Sequence, residues 1–170
     1  MAHRLDRDTS GCLLIVKNRA ALVEIHKSLR LKQVKKRYLA LLAYPWRGPK
    51  QKIIDKPLLK NTLNGGERMV SVSKDGKAAK TMFQLVKNYK DCCLVAAYPV
   101  TGRTHQIRVH AESMGHPIIG DKKYGATDPA LSPNLLKAPR LFLHANQLNF
   151  DYLTKPYFFD VPVDEKWQQY

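Results

Sequence analysis

The spacing of apolar residues in the first quarter of the chain predicts a strand, a helix and a second strand. The run CLLIV at residues 12–16 predicts a buried strand. Asn18 can then cap a helix that continues to about Leu31. Its core face would carry Leu22, Ile25 and Leu29, with Arg19, Lys27 and Arg30 in solvent. Residues 34–43 (VKKRYLALLA) predict the second strand, which Pro45 ends.

The middle of the chain predicts short strands joined by tight turns. Residues 45–66 are polar and interrupted by proline and glycine, which is typical of a long loop with short strands. Residues 69–73 (MVSVS) alternate like a half-buried strand, and the sequence KDGK at 74–77 predicts a turn after it. Residues 81–89 and 92–100 then predict a hairpin.

The last third of the chain predicts a helix, a long loop and two extended segments. In TGRTHQIRVHAESMGH (101–116) we expect a helix with Thr104 near its N-cap and Gly115 as its stop. Its core face would carry Ile107, Ala111 and Met114. A loop with three prolines follows at 121–139, then a strand at 141–150 and a short extended piece at 157–161. Strands outnumber helices and most connections favour antiparallel pairing, so we predict a single α+β domain.

The composition is ordinary for a globular protein except in its charge. Lys and Arg number 29 against 14 Asp and Glu, which gives a net charge of +15 and a pI near 9.9 in a chain of 170 residues. Such a surplus attracts polyanions, and nucleic acid is the usual partner. The alternative is a basic surface that only keeps the protein soluble.

The sequence favours neither a disulfide framework nor a metal site. Cys92 and Cys93 are neighbours on a predicted strand, so their side chains point to opposite faces. Together with Cys12 we expect them to be buried thiols in a reducing compartment. His105 and His110 lie five residues apart and do not share a helical face, which disfavours a zinc pair. With no Gly-rich phosphate loop, apolar span or signal peptide in the sequence, we expect a cytoplasmic protein without cofactor.

The segment HRLDRDTSG (3–11) is the first candidate for chemistry. It places two carboxylates among cations, and a carboxylate between Arg4 and Arg7 should stay ionised. An ionised carboxylate can act as nucleophile or base on a substrate that the cations attract. The alternative is a salt-bridged entry to a strand, in which Asp8 and Thr9 make turn hydrogen bonds. Asp8 is the more natural turn residue, so Asp6 is slightly favoured as the functional one.

Two further segments carry candidate binding residues. TGRTHQIRVH (101–110) places Arg103, His105, Gln106 and Arg108 at the predicted start of a helix, where anions such as phosphate are favoured. A basic helix face in solvent would look the same. Tyr38 in KKRYLALL could be a half-buried packing residue or a surface on which a nucleic-acid base stacks.

HRLDRDTSG, KRYLAL and TGRTHQIRVH, in this order, resemble the three signature motifs of the RluA-type pseudouridine synthases. The resemblance continues in LLKNTLNGGERMVSVSKDGKAAKTMF, GHPIIGDKKYG and RLFLHA, which resemble the subgroup that acts on large-subunit (23S) ribosomal RNA. It implies the pseudouridine synthase catalytic fold, with a mixed, mostly antiparallel sheet and a few flanking helices. It also implies that uridine is converted to pseudouridine without cofactor or metal.

The resemblance assigns a role to each motif residue. Asp6 would be the catalytic carboxylate, and Arg108 the basic residue that pairs with it and keeps it charged. Tyr38 would stack on the target base and could move a proton, with Ile107 packed beneath it. Arg4 would fill the space that the flipped uridine leaves.

The remaining expectations from the resemblance concern RNA contacts and the extent of the chain. Arg103, His105 and Gln106 would contact the RNA backbone or the pocket. The partner would be large-subunit ribosomal RNA, bound by a monomer. Residues 1–170 would be one catalytic domain, truncated at its N-terminus, without its first strands and an S4-like RNA-binding domain. The competing hypotheses are a non-catalytic RNA-binding module and, less favoured, a nuclease or glycosidase, which needs a metal cluster or two cooperating carboxylates.

Overall fold

The computed structural model describes residues 2–62, 68–165 and 167. Among these residues it contains nine strands and three helices, an α+β arrangement as predicted. The strands are β1 (Ser10–Gly11), β2 (Lys35–Ala43), β3 (Gln51–Asp55), β4 (Leu58–Thr62), β5 (Arg68–Val72), β6 (Lys80–Asn88), β7 (Cys92–Pro99), β8 (Leu143–Tyr152) and β9 (Lys155–Asp160). The helices are α1 (Arg19–Arg30), α2 (Gln106–Glu112) and α3 (Pro133–Leu136).

One mixed, mostly antiparallel sheet organises the molecule. Its strand order is β1-β8-β2-β7-β6-β3, and β9 also pairs with β8. Within the described residues β1 runs parallel to β8, and the other pairs of this sheet are antiparallel. Strands β4 and β5 form a separate two-stranded sheet. The predicted hairpin of β6 and β7 and the short strands after Pro45 are confirmed, while residues 63–66 of that stretch lie outside the described residues.

A bulge in β8 keeps its apolar residues on one face. Arg37 pairs with Gln147 and Tyr38 with Ala145, so Asn146 is an extra residue in β8. Because side chains alternate along a strand, this insertion turns Leu148 to the face that also carries Ala145. Helices α1 and α2 therefore cover two parts of the same face of the sheet.

Both helices pack on that face through the residues that their spacing predicted. In α1, Asn18 Oδ1 accepts a hydrogen bond from the backbone N–H of Ala21 at 2.8 Å, as expected for an N-cap. Ile25 packs with Leu148 and Phe150 of β8. Ile107 and Ala111 of α2, and Met114 in the turn after it, pack with Tyr38, Phe83 and Val95. The opposite face of the sheet is covered by the segment around α3 and by Trp167.

The predicted strand at residues 12–16 is wrong. Only Ser10 and Gly11 pair with β8, and the following residues are extended without a partner strand, with Ile15 67% exposed. The cause is competition for one strand edge. On one side β8 pairs with β2, and on the other β9 pairs with its residues from Gln147 onward. No free edge of β8 is left for residues 12–16.

Two other boundaries differ from the prediction. Thr104 is not the N-cap of α2, because His105 takes that place in a left-handed conformation with φ 52° and without a side-chain cap hydrogen bond. The helix ends at Glu112, and the turn that follows runs through Gly115 with φ +80°. The loop predicted at 121–139 contains the short helix α3. The order of the helix and the loop is as predicted. Their exact ends differ because they depend on contacts with residues elsewhere in the chain.

The cysteines lie as the alternation predicted. Cys92 and Cys93 are both buried, one in the cluster on each face of the sheet, whereas Cys12 is only partly buried. All three cysteines are free thiols. Within the described residues, no helix combines the length and the apolar character that a membrane crossing requires.

Candidate active site

A cleft of about 590 Å³ opens on the face of the sheet that carries both helices. Its walls are the loop at residues 3–9, the end of α1 with the start of β2, and the segment from the end of β7 into α2. Five cations line it: Arg4, Lys32, Lys35, Lys36 and Arg103. Among the described residues that line the cleft, Asp6 is the only carboxylate. The cleft therefore suits an anionic ligand and offers one acidic group to it.

The loop before β1 turns Asp6 into this cleft. The backbone N–H of Thr9 donates to the carbonyl of Asp6 at 3.0 Å, which closes a tight turn. The Asp6 side chain is 18% exposed and has Arg108 Nη1 at 3.7 Å from its Oδ2. Asp8 lies in the turn itself, exposed and away from the cleft lining. Of the two carboxylates that the sequence offered, the turn brings Asp6 and not Asp8 into the cleft lining.

Arg108 approaches Asp6 from inside the protein and is held by other groups. Its Nε and Nη2 each donate to a carboxylate oxygen of Asp121 at 2.7 Å. Its guanidinium also lies 5.0 Å from the ring centroid of Tyr124. Burial alone would lower the pKa of Arg108 and raise that of Asp121, but their mutual hydrogen bonds and charges reverse both shifts. Both groups are therefore ionised, and Arg108 is a fixed cation beside Asp6.

Tyr38 and Ile107 form the apolar floor of the cleft. Tyr38 comes from β2, Ile107 from the first turn of α2, and both belong to the same buried cluster. Burial, followed by the nearby charge of Asp6, raises the pKa of Tyr38 to about 12. The tyrosine therefore presents a neutral hydroxyl and an aromatic surface close to the carboxylate.

Of the other predicted binding residues, two are exposed in the cleft and two are engaged inside the protein. Arg4 and Arg103 line the cleft and are exposed, and Arg103 Nε donates to the carbonyl of Ala78 at 3.1 Å. Gln106 also lines the cleft, but it is buried, and its amide is engaged by four partners within the protein. His105 is not among the lining residues; its Nδ1 contacts the hydroxyl of Tyr124 at 2.9 Å, and burial lowers its pKa.

Sequence reasoning did not single out Asp121 and Tyr124. Both lie in GHPIIGDKKYG, a segment noted only for its resemblance. The backbone N–H groups of Lys123 and Tyr124 donate to Asp121 Oδ1, so the loop is built around this carboxylate. A carboxylate next to Gly120, 13 residues after Arg108, gave no local signal of this role.

The described residues contain no group of three His, Cys, Asp or Glu side chains that could together hold a metal ion.

Comparison with known proteins identifies relatives across most of the chain. A profile described as RNA pseudouridylate synthase matches residues 1–113. Among curated proteins, the ribosomal large subunit pseudouridine synthase C of Haemophilus influenzae is 51% identical over 152 residues, which cover 89% of this chain and 47% of that protein. The protein of the same name from Escherichia coli is 48% identical over 156 residues, with 89% and 48% covered. The chain thus spans about half the length of the curated relatives it matches.

Solved structures agree on the fold. Human RNA pseudouridylate synthase domain containing 1 superposes with a TM-score of 0.82 at 28% identity, over 95% of this chain and 68% of that one. Human RNA pseudouridylate synthase domain containing 4 gives a TM-score of 0.79 at 24% identity, over 98% and 72%. The fold predicted from the motifs is confirmed.

Proposed function

This chain belongs to the RNA pseudouridylate synthase family, and we propose that it isomerises uridine to pseudouridine in large-subunit ribosomal RNA. The observation that carries the proposal is the position of Asp6, an acidic side chain in a basic cleft beside Tyr38 and Arg108. The names of the curated relatives support the choice of RNA.

The cations of the cleft provide the attraction for RNA. Arg4, Lys32, Lys35, Lys36 and Arg103 line three different walls. Each can neutralise a phosphate and release its counterion, so binding should weaken steeply as salt is added. These contacts hold the backbone and do not by themselves select a base.

The reaction requires the base to leave the stack, because the bond between base and sugar is not accessible in a helix. We assign to Tyr38 the surface on which the flipped uracil stacks, and to Ile107 the packing beneath that ring. Stacking of one base on an aromatic side chain contributes about 1–3 kcal/mol. Arg4, exposed at the rim of the cleft, would occupy the space that the uridine leaves.

The chemistry exchanges one bond to the sugar for another. The bond from the sugar carbon to the ring nitrogen breaks, the uracil turns, and a bond from the same sugar carbon to a ring carbon forms. That ring carbon loses its hydrogen as a proton, and the freed nitrogen takes up a proton. Asp6 serves as nucleophile on the nucleoside or as the base that removes a proton from it. No atom is gained overall, and the proposed reaction therefore uses no cofactor.

Arg108 supports Asp6 by its charge. At 3.7 Å the contact between Nη1 and Oδ2 is longer than a hydrogen bond, so it places a positive charge beside the carboxylate without occupying its oxygens. We further propose that residues 1–170 act as one catalytic domain and as a monomer. A cytoplasmic location is supported by the three free thiols, which are typical of a reducing compartment.

The test is an Asp6→Asn variant, assayed with RNA whose uridines carry tritium on the ring carbon that forms the new bond to the sugar. Turnover releases this tritium. The substitution removes the reactive carboxylate at nearly constant size, so we expect turnover to be abolished while RNA binding and thermal stability stay close to those of the wild type. Asp8→Asn is the matched control, because it makes the same change in the same loop outside the cleft. Retained turnover in Asp6→Asn would reject the assignment.

The choice of RNA is tested separately by mapping pseudouridines in cells with and without the gene. We expect the lost sites to lie in large-subunit ribosomal RNA. Loss of pseudouridines in transfer RNA alone would contradict the proposed choice of RNA, but it would agree with the proposed isomerisation of uridine. RNA binding without any turnover would support the alternative of a non-catalytic binding module.

A further inference from the structure

Asp121 forms the best-defined ion pair near the cleft, although it does not line the cleft itself. Its side chain has 0% exposure and that of Arg108 has 6%. The two hydrogen bonds between them, both 2.7 Å, have the parallel fork geometry in which a carboxylate fixes the plane of a guanidinium. The backbone N–H groups of residues 123 and 124 fix the carboxylate in turn.

This arrangement leaves one edge of the guanidinium for Asp6. Asp121 takes Nε and Nη2, and Nη1 is the atom nearest to Asp6, at 3.7 Å. Two carboxylates thus share one arginine unequally: Asp121 has the short contacts and Asp6 the long one. If Asp121 did not hold the fork, the buried guanidinium would gain most by turning it toward Asp6, its other carboxylate partner.

A direct fork on Asp6 would work against its chemistry. Two short hydrogen bonds to arginine would occupy the lone pairs that a nucleophile or base must offer to the substrate. At the observed distance Asp6 keeps the electrostatic support and its free oxygens. Tyr124 holds the guanidinium from one face, so the plane of Arg108 is fixed by two neighbours.

We propose that Asp121 is a positioning residue, which holds the Arg108 fork away from Asp6 so that Asp6 has a neighbouring cation and unoccupied oxygens. The proposal rests on the proposed function, because it concerns the reactivity of the same carboxylate. It assigns to the segment GHPIIGDKKYG a role in the reaction that the cleft lining does not reveal.

Kinetics of Asp121→Asn test the consequence for the reaction. An amide cannot accept both N–H groups of the fork, so Arg108 can turn toward Asp6. We expect kcat to fall by up to about 100-fold, the size of loss that small misplacements at an active site cause, with KM for RNA within about twofold of the wild type. Asp128→Asn is the matched control, since Asp128 is an exposed carboxylate in the loop that follows this segment and accepts a hydrogen bond from the Tyr44 hydroxyl. An unchanged kcat, or a rise in KM that accounts for the loss, would overturn the proposal.

A double variant tests whether Asp121 acts through Arg108. Residues that act as one unit give losses that do not multiply. We expect Asp121→Asn combined with Arg108→Gln to have a kcat no lower than Arg108→Gln alone, because without the guanidinium there is no fork to hold. Losses that multiply would mean that Asp121 acts independently, and would overturn the proposal.

Hydrogen exchange at Arg108 Nε, followed by NMR, tests the geometry without any activity. We expect slow exchange in the wild type and in Asp6→Asn, and an acceleration of at least about tenfold in Asp121→Asn, because this N–H is protected by a buried hydrogen bond. Equal protection in all three proteins would overturn the proposal. A wild type that releases no tritium would reject the proposed function, and the exchange measurement would still decide whether Asp121 holds the fork.

Discussion

Replacing Gln106 with leucine should destabilise the protein and leave its intrinsic affinity for RNA nearly unchanged. From its sequence context Gln106 was expected to contact RNA, and it lines the cleft, but the residue is only 4% exposed and its amide is fully engaged inside the protein. Oε1 accepts from the hydroxyl of Thr101 at 2.6 Å and from the backbone N–H of Arg103 at 3.0 Å. Nε2 donates to the carbonyl of Lys80 and to the hydroxyl of Thr81, both at 2.9 Å.

These bonds belong to a network whose donors and acceptors can be assigned. His110 Nε2 must donate to the carbonyl of Lys56, which can only accept, at 3.0 Å. In the neutral ring Nδ1 is then an acceptor, so the Thr81 hydroxyl donates to it at 2.8 Å and accepts from Gln106. Leucine would leave the Arg103 N–H without its partner, while the Thr81 hydroxyl would keep His110 and the Lys80 carbonyl would keep the N–H of Val100 at 2.9 Å.

The expected loss follows from these contacts. A polar group left without a partner costs about 1–3 kcal/mol, and each hydrogen bond lost by a group that keeps another partner costs about 0.5–1.5 kcal/mol. We therefore expect the free energy of unfolding to fall by about 3 kcal/mol. For a chain of this length each kcal/mol lowers Tm by roughly 2–4 °C, so Tm should fall by about 6–12 °C.

Calorimetry and filter binding together decide the role of Gln106. Gln147→Leu is the matched control, because the amide of Gln147 makes one exposed hydrogen bond, to Asp160 at 3.1 Å, and its loss should cost less than about 1 kcal/mol. A Gln106→Leu variant whose Tm is unchanged and whose RNA binding, measured well below Tm, is weakened would refute the structural role of Gln106. It would support the expectation that Gln106 contacts RNA.

Three further predictions concern other parts of the fold. Gly11→Ala should cost at least about 1 kcal/mol in urea unfolding, because at φ +107° its Cβ would lie 2.3 Å from the Ala145 carbonyl oxygen, whereas Gly102→Ala, with open space, should cost little. Burial lowers the pKa of His110 from 6.5, so its contribution to the free energy of unfolding is fully present above that pH and falls by up to about 1.4 kcal/mol per pH unit below it. His110→Gln should remove part of this pH dependence in urea unfolding, and an unchanged pH dependence would contradict the role given to His110. Because burial raises the pKa of Tyr38 to about 12, tritium release by Tyr38→Phe and by the wild type should have the same pH dependence up to about pH 9. A change of rate with pH that the wild type shows in this range and Tyr38→Phe does not would contradict this.

Local sequence was sufficient for most of the secondary structure. The N-cap and apolar spacing of α1, the strand at β2 and the hairpin of β6 and β7 are properties of neighbouring residues, and the structure confirms them. The failures are contextual. Residues 12–16 have the composition of a strand, but a strand needs a free edge, and β9 occupies the edge of β8 that they would use.

The motifs likewise determined the family and the candidate residues, while their arrangement needed the fold. The excess of basic residues and the three signature segments are visible in the sequence alone. Which of two carboxylates enters the cleft was decided by a turn that closes on Asp6. That Gln106 is engaged inside the protein, and that Asp121 holds Arg108, was decided by side chains that meet only when distant segments fold together. Sequence patterns report on neighbours within a few residues, whereas hydrogen bonds and ion pairs act between any groups that the sheet brings within about 3 Å of each other.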